Sequence, residues 1–311
     1  MDRNLNQTIS EAVELLRGGG LVGFPTETVY GLGADAENAG AVGRIFELKG
    51  RPKNHPLIVH LADASQISEW AREIPELAWK LAERFWPGPL TLVLKRGARA
   101  IDAATGGHGT IGLRIPAHPV ALALLRGFGG GIAAPSANRF GAVSPTTAEH
   151  VRAEFGAALP LVLDGGPCGV GLESTVLDLS SGPPVLLRPG AVTREELEAI
   201  TRSDVPFLQV GGVASPGQMA SHYAPRAEVI LIGADEAVER EESLRRAGKK
   251  VALLSRHVDT ADHAAFARAL YAALRSADEQ DADVLLAVLP DTAGIGLAIA
   301  DRLKKAAGPR G

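Results

Sequence analysis

Apolar positions Ile9, Ala12, Val13 and Leu16 recur at intervals of three and four and predict an amphipathic helix. Thr8 and Glu11 have capping-box spacing at its expected start, and Gly18-Gly19-Gly20 closes it. Leu21 to Phe24 is a short apolar run stopped by Pro25, which predicts a buried strand. Val42, Ile45 and Phe46 mark a second helix face. Further strands are expected at Leu57–Val59, Leu90–Leu94, Ile111–Ile115, Ile132–Ala134, Leu161–Leu163, Thr175–Leu179 and Val185–Leu187. Several follow one another without room for a crossover helix, so the sheet is expected to be mixed. A helix over Thr193–Ile200, with Thr193 and Glu196 as a capping box, ends this part of the chain.

The pattern changes near residue 201. Residues 202–227 hold three prolines and no sustained period. A regular alternation then begins: Glu228–Ile232, Val251–Leu254 and Val284–Leu289 read as strands, each followed by a helical stretch. That is the pattern of a small parallel, Rossmann-like sheet. The expected fold class is α/β in two parts. A large N-terminal domain over 1–201 builds an open, twisted mixed sheet with helices, residues 202–227 link, and 228–311 form a small parallel α/β domain.

Composition narrows the class. A length of 311 residues suits two domains, and 46% hydrophobic with 22% charged residues suits a packed core. A net charge of −4 and 5% aromatic residues give no general footprint for nucleic acid. Cys168 is the single cysteine, which excludes an intrachain disulfide and a four-cysteine zinc site. The N-terminus MDRNLNQTISEAVELL lacks the apolar stretch of a signal peptide, and no run nears the roughly 18 apolar residues of a membrane span. A cytoplasmic protein without membrane attachment is expected.

Generic catalytic strings are absent or misplaced. Gly107 to Gly112 spells a dinucleotide fingerprint, but it leads into a strand instead of following one. There is no Walker A, His-Glu-x-x-His or Gly-x-Ser-x-Gly sequence. Pro25 to Gly33 gathers hydroxyls, a phenol and glycines after the first strand, as a small polar ligand requires or as a capped turn would also show. Lys49 and Arg51 suit a polyphosphate, but on spacing alone the negative end of the second helix, at an exposed position, is the better reading. Ser136 and Asn138 follow a strand. Ser144-Pro145 reads as a helix N-cap and first residue, a natural anion site. Gly294-Ile295-Gly296 is expected to be a tight strand-to-helix turn.

The strings PTETVYGLG, KGRP, PLIVH, LRIP, APSAN, GAVSPT, ESTV and LLRPG occur in this order across residues 25–190. The ordered set resembles the YrdC-like family of threonylcarbamoyl-AMP synthases. The string Ser221-His222-Tyr223-Ala224-Pro225, with the Rossmann-like tail behind it, resembles the family's long two-domain form.

The resemblance implies a nucleotidyltransferase that joins ATP, L-threonine and bicarbonate, with Mg carried by the ATP. The product would pass to a downstream tRNA threonylcarbamoyl transferase, with no stable tRNA binding by this chain. By the same resemblance Lys49, Arg51, Asn54, Ser136, Asn138, Ser144 and Arg188 face ATP. The linker is long yet carries Phe207, Met219 and Tyr223, which a disordered spacer would not use, so it is expected to fold over the site as a lid with His222 and Tyr223 reaching the nucleotide. Thr28, Tyr30, His60, Arg114 and Ser174 surround threonine. Two rivals are an RNA-binding or ribosome-associated module, and a hydrogenase-maturation carbamoyltransferase. The acidic balance opposes the first; the missing cysteine-rich zinc fingers oppose the second.

Overall fold

A computed structural model describes residues 3–208, 222–256 and 259–309. The N-terminal part contains strands β1 (Val22–Phe24), β2 (Gly31–Asp35), β3 (Ile58–His60), β4 (Leu90–Lys95), β5 (Thr110–Arg114), β6 (Ile132–Ala133), β7 (Thr175–Asp178) and β8 (Val185–Arg188). They form one sheet in the order β1-β2-β6-β3-β5-β4-β7-β8. Only β3/β5 and β4/β7 are parallel, so the sheet is mixed. Most strand positions are buried, as expected of a sheet covered on both faces. Helices Arg3–Arg17 and Pro119–Phe128 share one apolar cluster with Phe24 and Ile132. Helices Ala39–Lys49 and Glu76–Phe85 contribute to another, with Leu32, Val59, Leu92 and Leu113.

Several local expectations are corrected. The first helix starts at Arg3, so Thr8 and Glu11 lie inside it and form no capping box. Leu5 packs against the same cluster as Ile9, Val13 and Leu16, and this packing extends the helix past the cap signal. Leu161–Leu163 forms no strand; Val162 makes a single bridge to Gly23, flanked by Gly23 N–H to Leu161 O at 3.0 Å and Leu163 N–H to Gly23 O at 2.8 Å. Gly31–Gly33, expected within a ligand segment or capped turn, instead belongs to strand β2. Gly33 permits it: a Cβ there would lie 2.9 Å from the Phe24 ring. Ser144 is not an N-cap. Thr147 caps the helix Ala148–Phe155, its side chain accepting from His150 N–H.

The second part is a three-stranded parallel sheet of β9 (Glu228–Ile232), β10 (Val251–Leu253) and β11 (Val284–Val288), ordered β10-β11-β9. Helices Ala237–Arg246, His263–Glu279 and Gly296–Ala306 complete it. Its apolar core continues into the N-terminal part: Val29, Val143 and Leu172 pack in one cluster with Tyr223, Phe266, Leu270 and Leu303. Gly171, at φ 82°, faces the backbone of Arg268; a Cβ would sit 2.5 Å from Arg268 Cα. The linking segment does not start as free chain. Leu186 N–H donates to Pro206 O, Leu208 N–H donates to Leu186 O, and Val205 is buried, so the chain follows β8 as far as Leu208. Gly211, Gly212, Gly217, Met219 and Ser221 fall outside the described residues.

Candidate active site

A cleft of about 590 Å3, open mouth included, crosses the middle of the large sheet. Thr26, Thr28, Val29 and Ala134–Ser136 line one side, in the turns that follow β1 and β6. Ile58 and His60 of β3 line its floor; Arg114, Ser174 and Arg188 approach from the ends of β5 and β8 and the start of β7. Arg51, Glu173, His222 and Tyr223 complete the wall.

The local sequence fixes each group. Thr26 Oγ1 donates to Val29 O at 2.6 Å, which uses its single proton. The Thr28 hydroxyl, 2.7 Å away, therefore donates to Thr26 and keeps only lone pairs for another partner. Arg114 Nη2 pairs with Glu27 Oε1 at 2.7 Å while its Nε donates to Gly88 O at 3.2 Å. His60 and Arg114 are register partners on the parallel strands β3 and β5. Arg188 donates from Nε to Ser174 O at 3.0 Å and from Nη2 to Ser174 Oγ at 3.1 Å, and Ser174 Oγ also meets Thr91 Oγ1 at 2.8 Å. Arg51 Nη2 donates to Pro56 O at 3.1 Å.

Three buried cleft-lining side chains nevertheless keep an unpartnered polar atom among the described residues: Arg51 Nε, His60 Nδ1 and His222 Nδ1. Unsatisfied buried nitrogens cost about 1–3 kcal/mol each, and a ligand carrying acceptors and donors would satisfy them. Burial, reinforced by the neighbouring Arg114, pushes the His60 imidazole down to about 3; burial does the same to His222. Both rings are neutral at pH 7, so neither serves as a proton carrier there, and each offers one donor and one acceptor. Burial lowers Arg51 to about 10, so it keeps its charge at neutral pH, and burial lowers Arg188 as well. Glu173 goes the other way. Burial alone would raise it, but Arg302 and Arg188 bring it down to about 2, so it is a carboxylate.

Of the residues expected at the site, Arg51, Ser136, Arg188, His222, Tyr223, Thr28, His60, Arg114 and Ser174 line the cleft. Five do not. Lys49 is buried behind it, not exposed at a helix end, donating to Ser136 O at 2.5 Å and to Asn138 O. Those carbonyls take the ammonium that the helix end was expected to hold, and burial keeps its pKa well below the ordinary lysine value. Asn138 braces its own turn, with Nδ2 donating to Arg139 O and Ala142 O at 2.8 Å. Ser144 donates to Glu173 Oε1 at 2.6 Å. The Tyr30 hydroxyl is bound between Gly166 O and Gly165 N–H, drawn away by the turn at 164–166. Asn54 is exposed, its carbonyl facing the His108 ring.

Sequence reasoning missed Glu173 and Thr26 as cleft residues, although ESTV and PTETVYGLG contain them. Cys168 is buried, and burial pushes its thiol up to about 12, the reverse of a nucleophile's setting. No group of three or more metal-ligating side chains occurs among the described residues.

Three arginines, a pair of neutral imidazoles and directed hydroxyls in one open-mouthed cleft of an α/β fold are what a site for small, multiply anionic ligands requires. Residues 14–190 match the family described as "Telomere recombination", and residues 192–308 match the one described as "Threonylcarbamoyl-AMP synthase, C-terminal domain". The chain is 44% identical to the threonylcarbamoyl-AMP synthase of Pyrococcus abyssi, covering 99% of this chain and 97% of that one. It is also 44% identical to the Bacillus subtilis threonylcarbamoyl-AMP synthase, over 97% and 93% of the two chains. The crystal structure of P. abyssi Sua5 complexed with L-threonine superposes with a TM-score of 0.91 at 43% identity, covering 97% of this chain and 94% of that one. The chain belongs to the threonylcarbamoyl-AMP synthase family, in its two-domain form, and is an enzyme of the nucleotidyltransferase type.

Proposed function

We propose that this enzyme converts ATP, L-threonine and bicarbonate into threonylcarbamoyl-AMP and pyrophosphate, the first step in modifying an adenosine of tRNA. The threonine amine condenses with bicarbonate to a carbamate, releasing water. A carbamate oxygen then attacks the α-phosphorus of ATP, and pyrophosphate leaves with the electron pair of the broken P–O bond. No protein nucleophile is needed. Catalysis consists of holding two anions together and neutralising their charge.

The observation that carries this reading is the cleft itself, where Arg114, Thr28, His60 and Ser174 lie together with Arg51, Ser136, Arg188, His222 and Tyr223. Arg114 suits the threonine carboxylate, and Thr28, an obligate acceptor, suits the amine or the carbamate N–H. Arg51 and Arg188 suit the phosphates. Lys49, Asn138 and Ser144 act from behind, holding the turn at 136–138 and the Glu173 carboxylate.

Glu173 is the one carboxylate lining the cleft among the described residues, and its oxygens are occupied by Ser144, Tyr271 and Arg302. A magnesium ion would therefore arrive on the triphosphate and stay with it, neutralising its charge, without a protein cage. No helix among the described residues is long and apolar enough to cross a membrane. We place the enzyme in the cytoplasm, where a tRNA threonylcarbamoyl transferase would consume its labile product. Incubation with labelled bicarbonate, threonine and ATP, followed by chromatography, should yield one labelled mixed anhydride that breaks down to threonine and AMP. Its absence while ATP is consumed would refute the reading.

A further inference from the structure

The small C-terminal domain reaches Glu173, which lines the cleft, through two side chains. Tyr271, on helix His263–Glu279, donates its hydroxyl to Glu173 Oε2 at 2.7 Å. Arg302, on helix Gly296–Ala306, donates Nε to the same oxygen at 2.9 Å. Ser144 holds the other oxygen, so the carboxylate is fixed between the two domains. All of these groups are buried.

The same two residues hold Tyr223. The Arg302 guanidinium lies 5.2 Å from the Tyr223 ring centroid, and Tyr271 stacks on that ring at 5.6 Å and 28°. The Tyr223 backbone is at φ 62°, a left-handed conformation that costs a non-glycine residue about 1–2 kcal/mol. Hydrogen bonds on both sides keep it there: His222 N–H donates to Lys305 O at 3.2 Å, and Ala224 N–H donates to Gly141 O at 3.0 Å. Lys305 lies on the same helix as Arg302. A strained aromatic residue at the cleft wall, braced by a second domain, marks a position that the site requires.

Glu173 also adjoins the arginine side of the cleft. Ser174, the next residue, accepts two hydrogen bonds from Arg188, through its carbonyl and its hydroxyl. An uncompensated carboxylate beside a triphosphate would repel it and draw Arg188 away. Arg302 supplies compensating charge from the other domain, with Lys305 offsetting the Asp301 carboxylate that also pairs with Arg302.

We propose that Tyr271 and Arg302 are positioning residues for the nucleotide: the C-terminal domain completes the ATP side of the cleft by fixing Glu173 and the Tyr223 ring. The proposal rests on the assignment of ATP to this cleft. It predicts an asymmetry, since Arg114, the cation assigned to the threonine carboxylate, is held by Glu27 and Gly88 of the N-terminal domain alone.

The test uses full-length Arg302→Met, Tyr271→Phe and the double variant Arg302→Met with Glu173→Gln. ATP and threonine binding are titrated separately, at a temperature where each variant is folded. Wild-type binding of both ligands first checks the assignment itself, independently of the variants. Arg302→Met should weaken ATP binding about thirtyfold to a thousandfold, the scale for stranding one partner of a buried charge pair, with threonine binding within about twofold. Tyr271→Phe, which keeps the stacked ring and removes one hydrogen bond to a charged group, should weaken ATP binding about tenfold. Glu173→Gln should recover most of the Arg302→Met loss by removing the stranded charge. If the single variants lose melting temperature yet bind ATP as wild type does, or weaken both ligands equally, the domain serves stability alone and the proposal fails.

Discussion

Glu27 Oε1 and Arg114 Nη2 meet at 2.7 Å, and the second Glu27 oxygen accepts from Ala117 N–H at 3.0 Å. A carboxylate from the turn after β1 thus sets the guanidinium at the end of β5. Glu27→Gln should loosen that setting and raise KM for threonine about tenfold, the scale of one hydrogen bond to a charged group, leaving KM for ATP nearly unchanged. Initial-rate kinetics with each substrate varied check this. An equal rise in both constants would show that the pair supports the cleft as a whole.

Thr28 has its hydroxyl proton committed to Thr26, so its role is to accept. Thr28→Val, nearly isosteric, should weaken threonine binding about tenfold to a hundredfold, whereas Thr28→Ser should keep most of it. Calorimetric titration with threonine distinguishes the two, and a valine variant that binds normally would remove Thr28 from the site.

Lys49 is buried and joins two carbonyls of the turn at 136–138. Its replacement therefore costs stability as well as activity. Lys49→Met should lower unfolding free energy by about 1–3 kcal/mol, the cost of leaving buried acceptors unpaired, and should lower turnover too. Chemical denaturation checks the first part. Arg51→Lys should not restore full activity, because an ammonium cannot reproduce a planar fork on two phosphate oxygens.

Acid should destabilise the fold before any carboxylate is involved. His60 and His222 sit near 3 in the folded state against about 6.5 unfolded. Below pH 6.5 the unfolded chain binds protons that the folded protein refuses, so stability is complete above 6.5 and is lost as pH falls towards 3. Each ring contributes a loss of about 2 kcal/mol between pH 7 and pH 5. Glu173 adds to this only below its ordinary value of 4.5, as pH falls towards 2. Melting scans from pH 7 to pH 5 should be steep for the wild type and flatter for His60→Asn and His222→Asn. A residual slope is expected from His55, His118 and His150, which burial also lowers. Identical slopes in all three proteins would contradict the account.

Much of this was legible in the sequence because the cleft is built from short contiguous strings. A string such as ESTV keeps Ser174 beside Glu173, and strand periodicity located seven of the eight N-terminal strands. What stayed hidden depends on distant partners. Nothing near Tyr30 announces that Gly165 and Gly166 will take its hydroxyl, and nothing near Lys49 shows the two carbonyls that bury it. Gly31 and Gly33 read as a ligand turn because their purpose, room for the Phe24 ring in an adjacent strand, appears only in three dimensions. Tyr271 and Arg302 carry no motif at all. They matter through Glu173, 98 and 129 residues away in sequence.

The central claim is that one cleft brings ATP to a carbamate made from threonine and bicarbonate. Pyrophosphate release, measured with ATP fixed and the other two substrates omitted in turn, tests it most directly. The account predicts release only when threonine and bicarbonate are both present, in equal amount with threonylcarbamoyl-AMP. Undiminished release without threonine would make the cleft a simple ATP-cleaving site and contradict the account.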